Sequence, residues 1–174
     1  MDERGDDYYS SIAPGYDELH GAEQDEKLRE FLARVELREG ITLVDVGCGT
    51  GRSMAMLDDL SIQWHGIEPS AGLIEHAAPA ARIRIKQARG EELPFPDASF
   101  DVILSLTALQ NFDDPQKGLR EMLRVAKPGA IFLISFLKKS PKRDELDRLV
   151  REGFQSVDAW EQSKDLMYIC SQPI

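Results

Sequence analysis

The chain is poor in the residues that build metal sites and disulfide frameworks: two cysteines and three histidines in 174 residues. Cys48 and Cys170 have no partner at metal-ligand spacing, which discounts both a protein-borne zinc site and a disulfide. Basic residues are also short, 21 Lys and Arg against 31 Asp and Glu. The formal charge of −10 argues against non-specific nucleic-acid binding by the whole surface, although a local basic patch can still act. No apolar run approaches the roughly 18 residues of a membrane span. The opening MDERGDDYYSS is acidic and lacks the basic start and apolar core of a signal peptide, so the default expectation is a cytoplasmic protein. With 42% hydrophobic and 30% charged residues, the length suits one globular domain and leaves little room for a separate substrate-recognition domain.

What is present is concentrated in residues 41–53, ITLVDVGCGTGRS. Ile41, Leu43, Val44 and Val46 form a short apolar run suited to a central parallel strand covered on both faces. Asp45 lies within that run, and the run stops at Gly47, Gly49 and Gly51, with Cys48 between the first two. The glycines are expected to remove side chains that would hold a ligand away from the main chain. The helix opening near Arg52 and Ser53 is expected to aim N–H groups at that ligand. The spacing is Gly-x-Gly-x-Gly, which differs from the Gly-x-Gly-x-x-Gly of a dinucleotide fingerprint.

Further along, Gln63–Ile67 reads as a second strand ending at Glu68-Pro69-Ser70. Glu68 lies about 20 residues past the first glycine, where a doubly wound nucleotide site places an acid that accepts hydrogen bonds from ribose hydroxyls. Ser70 can cap a helix from Ala71 to about Ala78, ended by Pro79. Arg82–Gln87 (RIRIKQ) alternates basic and apolar residues, as a half-exposed strand at a sheet margin does. Phe100–Leu106 is another buried strand. A helix starting at Asp113-Asp114-Pro115 buries Leu119, Met122, Leu123 and Val125 and ends at Lys127-Pro128-Gly129, and Ala130–Phe136 is a fifth strand. Asp144 to about Glu152 is a helix, and Ser156–Trp160 with Leu166–Cys170 forms a closing antiparallel hairpin. Upstream, an amphipathic helix runs from Gln24 to about Arg38 with Leu28, Phe31, Leu32 and Val35 inward, ended by Gly40. Pro14-Gly15 is a turn in front of it.

VDVGCGTG closely resembles the first motif of the class I, Rossmann-like S-adenosylmethionine-dependent methyltransferases. ARGEELPFPDASFD resembles the family's GDAExLPFPDxSFD stretch, and LREMLRVAKPGAIFLISF its helix, KPGG-like turn and strand. The likeness covers nearly all of the chain. It implies an α/β fold with a doubly wound, seven-stranded, mostly parallel sheet and a C-terminal antiparallel hairpin. Residues 1–40 are then a cofactor-covering segment and helix of the same domain, and residues 41–174 the core. It also implies S-adenosyl-L-methionine as cofactor, S-adenosyl-L-homocysteine as product and no metal. The cofactor site implied comprises Asp45, Gly47, Cys48, Gly49, Gly51, Glu68, Pro69 and Leu106. Tyr8 or Tyr16 would close over it, from a segment resembling the family's IAxxYD. Where relatives commonly carry an Asp near the adenine amino group this chain has Arg89, which moves that hydrogen bond to Glu91 or to backbone near Gly90.

Methyl transfer from a sulfonium needs alignment more than a dedicated catalytic group. Tyr16, His20 and Gln110 can orient or deprotonate an acceptor, and none is named as a base. TALQNF stands after the fourth strand in place of Asn/Asp-Pro-Pro-Tyr, which argues against amino-methylation of adenine or glutamine. There is no prolyl-cysteine pair for attack on pyrimidines. A small-molecule acceptor is the first expectation. Against it stand an RNA or protein methyltransferase subunit needing a small zinc-ribbon activator docked on RIRIKQ, and a non-catalytic cofactor-binding subunit. Lys138, Lys139, Lys142 and Arg143 are either a solvated loop or an anion-recognition patch.

Overall fold

Every second residue of the first strand faces a different core. In the computed structural model, which describes residues 6–174, β1 (Thr42–Val46) sends Leu43 into one apolar cluster and Val44 and Val46 into the other. That is the two-residue period of a strand covered on both faces. It pairs in parallel with β2 (Gln63–Glu68) on one side and β4 (Phe100–Ser105) on the other. Outside β2 lies β3 (Ile85–Gln87). Beyond β4 come β5 (Ala126–Leu137), then β7 (Asp165–Pro173), then β6 (Phe154–Gln162). The order β3-β2-β1-β4-β5-β7-β6 has β7 antiparallel to both its neighbours. This is the expected seven-stranded, mostly parallel sheet with its closing hairpin.

Helices α1 (Asp6–Ile12), α2 (Tyr16–Arg34), α3 (Arg52–Leu57), α4 (Ala71–Glu75), α5 (Pro79–Arg82), α6 (Pro115–Val125) and α7 (Arg143–Gly153) make the outer layers. Leu28 and Phe31 of α2 and Leu57 of α3 pack with Trp64, Leu104 and Leu133 on one face of the sheet. Leu119 and Met122 of α6 and Leu146 and Val150 of α7 pack with Ile103, Phe132 and Phe136 on the other.

Four boundaries depart from expectation, two beside tertiary contacts and two through the local start of α5. The helix before β1 begins at Tyr16 and ends at Arg34, because Asp17 and Asp25 on it are tied to Thr50 and Arg52. Gly40 takes its left-handed φ of +74° later, beside β1. Pro79 starts α5 instead of merely ending α4, as its fixed φ suits a first helical turn. That helix consumes Arg82, so the edge strand shrinks to Ile85–Gln87 and Ile83 stands exposed. Lys127-Pro128-Gly129 lies inside β5 as a bulge. Phe100 faces Ala126 while Val102 faces Ile131, and Asp101 Oδ2 accepts from Lys127 Nζ (2.9 Å) and Thr42 N (2.9 Å) in the gap. Those bonds hold the Asp101 carboxyl down at about 2, against its burial.

Candidate functional site

The carboxyl ends of β1, β2 and β4 open onto a cavity whose empty space, counted together with the solvent at its mouth, is about 650 Å³. It is lined by Gly47, Glu68, Pro69, Gly90, Glu91, Leu106 and Tyr16, seven of the residues the sequence points to, together with Tyr9, Leu73, Arg89, Thr107, Ala108, Asn111 and Phe112. A second cleft shares Tyr16, Gly47 and Leu106 with it and adds Asp45, Cys48, Gln24, Thr50 and Ser53.

Glu68, at the end of β2, is buried, and its carboxylate is fixed by two backbone donors. Gly49 N gives to Oε2 and Ser70 N to Oε1, both at 2.9 Å. A carboxylate oxygen accepts from more than one direction, so an oxygen held by an N–H can still take a hydroxyl. Ser70 itself caps α4 by accepting from Leu73 N.

Asp45 lies deeper. Its Oδ2 accepts from Ser53 Oγ at 2.5 Å, and Ser53 Oγ in turn accepts from Trp64 Nε1 at 3.0 Å. Its Oδ1 is buried without a hydrogen-bond partner. Burial pushes the carboxyl up to about 7; the Ser53 bond opposes that shift and the nearby Glu68 charge adds to it. An unsatisfied carboxylate oxygen in a cleft is costly in isolation and calls for a cation or N–H donor.

The glycine turn has a structural role besides the expected one. Gly47 N and Cys48 N both donate to Ile67 O, and Gly51 N to Cys48 O, so these N–H groups tie the loop to β2 and to itself. The missing Cβ of Gly47 (φ +83°) would sit 2.4 Å from Ala108 Cβ, and that of Gly49 3.2 Å from the Tyr16 ring. Glycine is required here by left-handed backbone and by protein packed on the turn. Gly49 and Gly51 line neither cavity. Cys48 lines the second cleft, and burial raises its thiol well above the usual value, keeping it protonated.

The tyrosine expectation needs one correction. Tyr8 is 38% exposed and lines neither cavity; Tyr9 takes that place, with its hydroxyl accepting from Asn111 Nδ2 at 2.8 Å. Tyr8 and Tyr16 each meet the Tyr9 ring edge-on. On a short helix, adjacent residues point about 100° apart, so one of the pair had to face outward. Burial first, then Tyr9 and Glu68, raise the Tyr16 phenol far above its ordinary value. Tyr16 is therefore a neutral donor at physiological pH and no base.

Glu91 Oε1 accepts from Asp113 N (2.8 Å) and Asp114 N (3.3 Å), so it anchors the turn before α6 while lining the cavity. Arg89 pairs with Asp113 at 2.7 Å on the rim. The Phe112 ring fills the space above Gly90, where a Cβ would come within 2.2 Å of it. Gln110 Nε2 donates to Thr107 O, and His20 packs at a tilt on Tyr16. In the basic loop, Lys138 pairs with Glu161, Arg143 with Asp144, and Lys142 Nζ donates to Phe112 O.

Sequence reading missed Gln24, Lys27 and Asp165. Gln24 Oε1 is a buried acceptor with no partner, on a residue that lines the second cleft. Lys27 precedes Leu28 and lies four residues before Phe31, so a lysine on the buried stripe was the available signal.

The donor set fits S-adenosylmethionine: a fixed carboxylate for hydroxyls and an orphaned carboxylate oxygen for an ammonium, in adjoining clefts that share Tyr16, Gly47 and Leu106. A match to the methyltransferase domain family spans residues 44–134, half of the chain. The chain belongs to that family. It has the class I fold, and the family's cofactor is S-adenosylmethionine. An uncharacterised methyltransferase of Mycobacterium sp. strain KMS is 38% identical over 99 residues, 56% of this chain and 39% of that protein. The O-methyltransferase resE of Aspergillus sclerotiorum is 32% identical over 132 residues, covering 71% and 50%. The chain thus spans half or less of the length of these two relatives. A Haloferax volcanii methyltransferase, solved in complex with the Trm112 methyltransferase activator, superposes with a TM-score of 0.74 over 95% of this chain and 98% of that one. At 19% identity it shares the fold. Among the described residues, no helix is long and apolar enough to cross a membrane.

Proposed function

We propose that the chain transfers the methyl group of S-adenosylmethionine to a small-molecule acceptor. The observation that carries this reading is the Glu68 carboxylate, locked by Gly49 N and Ser70 N in the main cavity, next to a second cleft that shares Tyr16, Gly47 and Leu106 with it and is lined by Asp45 with its orphaned oxygen. Glu68 would hold the ribose hydroxyls and Asp45 the amino group. Pro69, Gly90 and Glu91 would border the adenine, and Gly47, Leu106 and Tyr16 the path between. The bound cofactor supplies an electrophilic methyl on a cationic sulfonium. The chain's own part is to align an acceptor against that methyl, exclude water and surround the cation with Asp45, Glu68 and Glu91 carboxylates.

The acceptor wall is neutral: Tyr9 and Asn111 offer a hydroxyl and an amide, and neither is a general base. A hydroxyl or amine nucleophilic enough to react on alignment suits it, and the likeness to an O-methyltransferase supports a small molecule. Residues 1–40 would cover the cofactor as part of the same domain, residues 1–5 lying outside the described residues. Incubation with a methyl-labelled cofactor and a panel of phenols, alcohols and amines tests the reading. Label should reach at least one acceptor, and a cofactor that binds but never donates would make the chain a binding subunit.

A second reading, an RNA or protein methyltransferase served by a small zinc-ribbon activator, is favoured by one observation. The Haloferax methyltransferase solved with the Trm112 methyltransferase activator matches this chain over nearly its whole length. The three-residue edge β3 is the strand on which such an activator would add. Co-purification from the native source, with added hydrogen-exchange protection over residues 85–87, distinguishes this from the first reading.

A further inference from the structure

Thr107 lines the main cavity, and its side chain joins a buried polar cluster that the cofactor assignments leave unused. Its Oγ1 donates to Asp165 Oδ2 at 2.7 Å and accepts from Lys27 Nζ at 2.8 Å and Gln24 Nε2 at 3.3 Å. Asp165 Oδ2 also takes Ser135 Oγ at 2.9 Å, and Lys27 Nζ lies 3.1 Å from Asp165 Oδ1. Lys27 is 2% exposed and Asp165 fully buried. Thr107 has a φ of +53°, a left-handed conformation that a β-branched residue adopts only where its surroundings impose it. Its N–H is held by Ser135 O and Oγ, both at 3.0 Å. The turn after β4 meets α2 and the start of β7 at this hydroxyl, and β5 joins the cluster through Ser135.

We propose that Lys27 and Asp165 are positioning residues for the cofactor site: meeting on the Thr107 hydroxyl, they hold the turn after β4 in the conformation that walls the cavity. This rests on the methyltransferase reading only for the nature of the ligand. A buried ion pair by itself is poor evidence of a stabilising role, since apolar residues of similar size often replace one without loss. That fact supplies the control. In Lys27→Met/Asp165→Leu both charges go and the volume stays, so a pair that serves packing alone is replaced, whereas Thr107 loses two of its anchors.

The test measures thermal stability, S-adenosylhomocysteine binding by calorimetry and amide hydrogen exchange at residues 105–108. It compares the wild type with Lys27→Met, Asp165→Asn, the double variant and Thr107→Val. The single charge variants should melt lower: Lys27→Met leaves the buried Asp165 without its counter-charge, and Asp165→Asn leaves Lys27 only the partly exposed Glu23 at 3.4 Å. The double variant should regain most of the melting temperature, yet bind S-adenosylhomocysteine at least tenfold more weakly and exchange the Thr107 amide faster. Wild-type affinity or unchanged Thr107 protection in the double variant overturns the proposal. Should the double variant fail to fold, Thr107→Val, which keeps both charges, decides in its place: weakened binding supports the proposal and wild-type affinity overturns it. A wild type that binds no S-adenosylhomocysteine would sink the methyltransferase reading, while the exchange of Thr107 would still decide the positioning claim.

Discussion

Glu68 and Asp45 carry different burdens although both are buried acids. Glu68 receives two backbone N–H groups, so its ionised form is satisfied before any ligand arrives. Replacing it with Ala removes the acceptors for the ligand and releases Gly49 N and Ser70 N. Glu68→Ala should weaken S-adenosylhomocysteine binding by about 1.5–3 kcal/mol, read by calorimetry. Glu68→Gln should do nearly as badly, because its NH2 group must face one of the two N–H donors. Asp45 is the opposite case. Its carboxyl is raised to about 7 from an ordinary 3.8, so between those values the folded chain binds a proton that the unfolded chain has lost. The stability that this protonation contributes is complete below about pH 4 and falls as pH rises to about 7. In the ligand-free protein, melting temperature should therefore decline over that range, and Asp45→Asn should flatten the decline. Cofactor affinity should move the other way, rising through neutral pH as Asp45 ionises to meet an ammonium. An affinity flat from pH 6 to 8 would remove Asp45 from the site.

At the scale of elements, the glycine turn and α1 decide whether the cavity exists. Gly47→Ala forces a Cβ into Ala108 and keeps φ at +83°, a strain on the order of 1–3 kcal/mol that must displace either the turn or the segment after β4. Both border the cavity, so affinity should drop together with melting temperature. The α1 helix holds Tyr9 over the cavity through Asn111 and Ser10 against Ser70 (3.0 Å). Tyr9→Phe should leave the fold intact and speed cofactor release several-fold, measured by stopped-flow; an unchanged release rate would mean that α1 does not cover the ligand. Strand periodicity made β1, β2, β4 and the hairpin legible from residues alone, because an apolar run bounded by glycine or proline leaves few alternatives. What was not legible depended on contacts made at long range. The start of α2 is set by its ties to Thr50 and Arg52, the bulge in β5 by Asp101, and the Lys27–Asp165 pair spans the chain from α2 to the hairpin. The choice of Tyr9 over Tyr8 turned on helical phase in a short segment with no repeating pattern.

For the whole molecule, the chain devotes its described residues to one sheet and the layers on it, and the site forms where β1, β2 and β4 end and α1 and α2 fold across. Acids dominate this site as they dominate the composition, which suits a cationic cofactor better than a pyrophosphate. The decisive measurement is calorimetric titration of the wild type with S-adenosylmethionine, with NAD titrated in parallel. Saturable one-to-one binding of S-adenosylmethionine, with no heat from NAD, is the predicted result. No binding of S-adenosylmethionine at millimolar concentration, with NAD binding instead, would contradict it.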